Sequence, residues 1–162
     1  MGGEGREQAE VGAERVEVRA RRLPHGRDLP FPEPASPGSA GVDLRAAVDH
    51  PVEIPPGEWR PIPTGLAVEI PHGWEGQVRP RSGLARRHGL TLLNSPGTVD
   101  SDYRGEIQVL LLNLGPRAFT VHRGERIAQL VVGPVGRVSW QESEELAPSR
   151  RGEGGFGSTG SS

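Results

Sequence analysis

The sequence predicts an all-β single domain, a sandwich, jelly roll or barrel, ending in a mobile C-terminal arm. Three observations carry this reading. First, 24 Gly and 16 Pro stand among 162 residues, a share bordering on low complexity. Apolar runs such as Val109-Leu-Leu-Leu112 and Leu130-Val-Val132 nevertheless demand a core, so the Gly and Pro are read as turns. Second, short apolar-rich runs alternate with turn signals along most of the chain. Third, there is almost no helical periodicity, which leaves sandwiches, jelly rolls and barrels. The length fits one core.

Taken in order, residues 1–15 carry Gly, Glu and Gln without periodicity and read as a disordered extension. The β domain is expected over 16–145 and the arm over 146–162. Residues 16–21 alternate as a strand does, and 24–37 form a Pro-rich loop. Strands follow at 42–46, 52–54, 66–70, 74–79, 91–93, 107–113, 119–121, 126–132 and 138–142. Pro55-Pro56-Gly57, Pro71-His72-Gly73, Pro96-Gly97 and Arg123-Gly124 mark turns between them. The one plausible helix is a turn or two over 82–87, with Ser82 as its N-cap. No internal repeat is present.

Composition narrows the chemistry. The chain has no Cys, so neither a disulfide framework nor a zinc–sulfur site is available. All 19 basic residues are Arg, which excludes a Lys-dependent phosphate loop and Schiff-base catalysis. A net charge of −2 argues against a broad nucleic-acid-binding face. No apolar run approaches the roughly 18 residues of a membrane span, and no signal-peptide core is present. The expectation is a cytoplasmic protein without membrane or nucleic-acid partners. His25, His50, His72, His88 and His122 are scattered, with no i, i+4 pair to hold a metal.

Several segments carry polar residues that a packed fold would not need. Arg81-Ser82-Gly83 opens the short helix, where free N–H groups favour phosphate, although a plain cap has the same spelling. Ser82 has no evident His–Asp relay as a nucleophile. Asn94-Ser-Pro-Gly97-Thr98-Val99-Asp100-Ser-Asp102-Tyr103-Arg-Gly reads as a tight hairpin whose backbone can approach a flat ligand edge. Asp100 and Asp102 face one side if extended, or are turn formers. Asp43 interrupts an apolar strand and needs a partner or a metal, and Arg126 and Gln129 do the same further on. The tail, from Arg151 through Phe156, Gly157, Ser158 and Thr159, combines an anion nest, hydroxyls and one aromatic ring. It reads as a lid over a phosphorylated, ring-bearing ligand, or as a plain Gly/Ser tail.

Five of these segments, Ala40-Gly-Val-Asp43-Leu, Arg81-Ser-Gly-Leu-Ala, Gly97-Thr-Val-Asp100-Ser-Asp-Tyr103-Arg-Gly, Arg126-Ile-Ala-Gln129-Leu and the Arg151 tail, occur in a fixed order. Together they resemble the five motifs of the trimeric dUTP diphosphatase family, over roughly residues 16–160. The resemblance implies a distorted jelly roll and a homotrimer with active sites shared between subunits. It implies Mg²⁺-dependent hydrolysis of dUTP to dUMP and pyrophosphate, which supplies dUMP for thymidylate synthesis and keeps uracil out of DNA. By position, Asp100 is the general base for the attacking water and Tyr103 lies under the deoxyribose. Asn94 and the Thr98-Val99 backbone line the uracil slot, with Gln108 near the sugar or base. Arg81, Ser82 and Gly83 hold the phosphates, with Gln129 close by, and Asp43 serves the metal's outer shell through water. Arg151, Gly157, Ser158 and Thr159 close over the terminal phosphates while Phe156 stacks on uracil. The chain departs from the pattern in having Thr98-Val99 where Ile or Leu is usual, and in its Ser95-Pro96 lead-in.

These residue types suit that chemistry. An aspartate carboxylate is ionised at neutral pH, so it can accept a proton from water, and phosphoryl transfer otherwise requires alignment and charge neutralisation. A slot matched to uracil opposes the donor and acceptor of cytosine, while thymine must be excluded by volume at Gly97. Two other readings remain open at the level of sequence: a dCTP deaminase or bifunctional deaminase–diphosphatase of related fold, and a non-catalytic regulatory jelly roll that binds nucleotide.

Overall fold

The computed structural model describes residues 15–154. Ten strands, one short helix and a single 3-10 turn make up these residues: β1 (Arg19–Arg22), the turn Pro24–Gly26, β2 (Val42–Arg45), β3 (Val52–Ile54), β4 (Trp59–Glu69), β5 (Trp74–Arg79), α1 (Ser82–His88), β6 (Leu90–Leu92), β7 (Gly97–Val99), β8 (Glu106–Asn113), β9 (Phe119–Val121) and β10 (Arg126–Pro134). One sheet runs β1-β4-β8-β6 and a second runs β2-β10-β5-β7, with β3 and β9 paired separately. All pairings are antiparallel. This is the jelly-roll sandwich expected from the sequence.

The core lies between the sheets. β8 shows how the sequence builds it: Ile107, Val109, Leu111 and Asn113 alternate inward while Gln108 points out, the period-two pattern of a half-buried strand. Ile62, Leu66 and Val68 of β4 meet Val78 of β5, and Ile127, Ala128 and Leu130 of β10, in the same apolar cluster. Asn113 is the buried polar exception. Its amide donates to the Ile54 and Arg117 carbonyls at 2.8 Å each, and its oxygen accepts from the Gly115 N–H at 2.9 Å. It thereby ties β8 to β3 and to the following turn.

Two β-bulges re-aim the chain. The β10–β2 register shifts between Arg126 and Ala128, and the β4–β8 register shifts between Pro63 and Ala67. In the second, Gly65 takes φ +66° and lies so close to Gly26 that a Cβ on Gly26 would stand 2.7 Å from the Gly65 Cα. Gly89 ends α1 in the left-handed region with φ +71°, its N–H bonded to the Ala85 carbonyl, the usual glycine stop. Beside the 3-10 turn, Arg123 donates to the Asp28 carboxylate at 2.6 Å and holds its carboxyl below the usual carboxylate range.

Several expectations need correction. Residues 138–142 form no strand: Val138 and Trp140 alternate as a strand would, but nothing among the described residues pairs with them, and Trp140 is 92% exposed. The strand expected at 66–70 begins at Trp59, and the one expected from residue 16 begins at Arg19. Pro96-Gly97 is not merely a turn, since Gly97–Val99 pairs with β5. Arg81, not Ser82, occupies the N-cap of α1, and no side chain caps it. No helix among the described residues is long and apolar enough to cross a membrane.

Candidate active site

Most of the predicted residues among those described line two clefts, while Asp100 and Arg151 line neither. The first, about 260 Å³, is lined by Ser39–Gly41, Asp43, Arg81, Ser82, Gly83, Arg126 and Gln129. Asp43 is its hub. Its Oδ1 accepts from Arg81 Nε at 2.8 Å, and its Oδ2 accepts from Arg126 Nη1 at 3.2 Å. Two guanidiniums on one carboxylate leave a positive charge in excess. Gln129 stands opposite Asp43 on β2 and opposite Arg79 on β5, and its amide donates to the Pro80 carbonyl at 3.0 Å. That bond fixes the chain where it enters α1.

The bulge in β10 accounts for this convergence. Arg126 and Gln129 are three apart, so a regular strand would send them to opposite faces. The extra residue at Ile127 leaves Ile127 and Ala128 both buried and brings Arg126 and Gln129 to the same cleft. Gly41 is needed beside them, because a Cβ there would meet the Leu130 carbonyl oxygen at 2.9 Å.

The second cleft, about 420 Å³, is lined by Asn94, Gly97, Thr98, Val99, Tyr103 and Gln108, with Val78, Glu106, Ile107 and Leu110. A Cβ on Gly97 would stand 3.0 Å from the Asn94 side-chain amide nitrogen, so a larger residue there would crowd that side chain. Val99 is buried in the core while Thr98 is exposed. The Tyr103 N–H donates to the Asp100 carbonyl at 3.1 Å. Residues 100–103 therefore form a turn, and the alternation that would align Asp100 with Asp102 does not apply. Asp100 is exposed and follows Val99 in the chain, but it does not line the cleft. Tyr103 is 45% exposed, and its hydroxyl donates to the Glu106 carbonyl at 3.0 Å.

The two clefts share no residue. Val99 pairs with Gly76 and Gln129 with Arg79, and those positions on β5 are roughly 10 Å apart at the usual rise per residue. Arg151 is exposed, its Nε donating to the Gly154 carbonyl at 2.6 Å. Phe156, Gly157, Ser158 and Thr159 lie outside the described residues. Among the described residues no group of three or more His, Cys, Asp or Glu side chains comes together as a metal site.

Sequence reasoning noticed Arg126 but gave it no role, and missed Glu106 and His25. Only the consecutive apolar pair Ile127-Ala128, breaking the alternation of its strand, could have signalled the bulge.

Comparison with known proteins adds the following. The family model described as dUTPase matches residues 27–160. A deoxyuridine 5'-triphosphate nucleotidohydrolase from Maricaulis maris (strain MCS10) is 55% identical over 147 residues, covering 90% of this chain and 97% of that one. Its counterpart from Rhizobium leguminosarum bv. trifolii (strain WSM2304) is 60% identical over 141 residues, covering 86% and 90%. Among solved structures, a Staphylococcus bacteriophage 80alpha dUTPase with dUPNHPP superimposes with a TM-score of 0.80 at 27% identity, covering 90% of this chain and 99% of that one. A dUTPase from phage phi11 of S. aureus, described with a structural Mg(II) ion, shares the fold at a TM-score of 0.71 and 23% identity, covering 80% and 98%.

Proposed function

We infer that this chain, which belongs to the dUTPase family, hydrolyses dUTP to dUMP and pyrophosphate. The observation that carries the mechanism is the division of labour between the two clefts: one is cationic and polar, the other is a narrow hairpin slot, with the exposed Asp100 next in the chain after Val99. In this reading Arg81, Ser82 and Gly83 hold the phosphates, aided by the first N–H groups of α1, which have no partner inside the helix. Gln129 keeps that entry in place. The Thr98-Val99 backbone and Asn94 take the uracil edge, Gln108 lies beside the sugar or base, and Tyr103 lies beneath the deoxyribose. Asp100 accepts the proton of the water that attacks the α-phosphorus. Arg151, Gly157, Ser158 and Thr159 close over the outer phosphates, with Phe156 on the base. The setting for this reaction is the cytoplasm.

Among the described residues no cluster of carboxylates or imidazoles would hold Mg²⁺ unaided, so the ion would come with the triphosphate. Both oxygens of Asp43 are engaged by guanidiniums, so Asp43 would reach the ion through water, and the ion would take its direct oxygens from the triphosphate. Mg²⁺ keeps several waters in such sites and would supply charge neutralisation at the phosphates.

The likeness to the trimeric family, more than the roughly 10 Å between the clefts, supports sites that join the first cleft of one copy to the second of another. A homotrimer supplies this arrangement. Leu114, Val138, Trp140 and Leu146 are exposed by 67–92% in the single chain, apolar surface that a partner copy could cover. Mixing Asp100→Asn with Arg81→Ala protein and refolding them together tests both points. Shared sites regain pyrophosphate release from dUTP, because some boundaries pair two intact halves. Sites contained in one chain stay inactive. Ammonia release from dCTP by the unmodified protein would instead favour the deaminase.

A further inference from the structure

We propose that Glu106, held by His25, is a positioning residue that sets the preference for a deoxyribose by fixing the ring of Tyr103. The inference rests on the placement of Tyr103 beneath the sugar given above and extends it to residues outside the motifs.

The ring of Tyr103 folds back over Gly105, where a Cβ would stand 2.6 Å from the ring's Cζ. Its hydroxyl is committed to the Glu106 carbonyl, so the ring turns a half-exposed face to the slot. Where that face lies depends on where the main chain of Glu106 lies. Glu106 opens β8 opposite Ala67, at the end of the bulge in β4. One carboxylate oxygen, Oε1, accepts from the Gly65 N–H at 2.7 Å and lies 2.7 Å from His25 Nε2. Thr64 pins the next residue, its hydroxyl donating to the Ile107 carbonyl at 2.6 Å. A single oxygen thus gathers the 3-10 turn, the bulge and the start of β8. The Glu106 side chain is 18% exposed and that of His25 34%, so both bonds are partly shielded from water. An error of about 1 Å in the placement of a substrate-facing group can cost on the order of a hundredfold in rate.

The test compares kcat/KM for dUTP and UTP in the full-length protein and follows Tyr103 by fluorine NMR. The chain has a single Tyr, so fluorotyrosine labelling reports this ring alone. Glu106→Ala is expected to lower the dUTP-to-UTP ratio at least about tenfold, and to shift or broaden the fluorine line. Glu106→Gln keeps an oxygen that can accept both bonds and restores the ratio and the line. His25→Ala moves both in the same direction by less. If Glu106→Ala does not fold, His25→Ala and Glu106→Asp, whose shorter side chain cannot make both bonds, decide the matter. An unchanged ratio with an unshifted line in these variants overturns the proposal and leaves the bonds a purely structural role. If Tyr103→Ala itself leaves the ratio unmoved, the placement of Tyr103 under the sugar fails, and the fluorine line alone then decides whether Glu106 holds the ring.

Discussion

At the scale of single residues, carboxylates with different surroundings are assigned different work. Asp43 is tied by two guanidiniums at 2.8 and 3.2 Å, which suits organising charge. Asp100 is exposed and is free to meet water. Asp100→Asn is therefore expected to bind dUTP normally while lowering kcat by at least about a hundredfold. Equilibrium titration with a non-hydrolysable analogue, alongside initial rates, checks the two halves of that statement. Asp43 stood out in the sequence as a charge interrupting an apolar strand, whereas Arg81 and Asp100 read equally as a helix start and a turn until the five ordered segments were taken together. Arg126 was visible as an oddity without a role. Its bond to Asp43 depends on a bulge that alters which way its strand faces, and no count along the chain assigns the extra residue.

At the scale of elements, legibility followed the regularity of the strands. β5 and β9 alternate cleanly and were located to the residue. The first half of β4 was missed because Pro61 and Pro63 argue against a strand. They are tolerated because β1 pairs only with Leu66–Glu69, leaving the earlier part of β4 an edge on that side. Residues 138–142 mislead in the opposite sense, having the alternation of a strand without a neighbour to bond. Asn113 joins three segments through its side chain. Asn113→Ala is expected to cost about 2–4 kcal/mol, since each stranded buried partner costs about 1–3. A lower denaturant midpoint at unchanged m-value would register this as lost stability without a change in the exposed surface.

At the scale of the whole molecule, the proposed function makes the two clefts and the arm three contributions that meet at the substrate. Removing residues 151–162 is expected to leave the fold and the assembled size intact while nearly abolishing turnover. Circular dichroism, sedimentation and pyrophosphate release measure the three separately. The division into half-sites was invisible in the sequence, where the motifs simply follow one another, because the separation arises from how β7 and β10 flank β5. β1 carries a further consequence of the architecture. It lies at the rim of its sheet with all four residues exposed, three of them arginines. Two molecules approaching rim to rim must press guanidinium against guanidinium before any main-chain bond can form, a barrier to fibre growth written into the strand itself. Salt weakens that guard, because at ~0.1 M ionic strength charge is screened beyond about 10 Å.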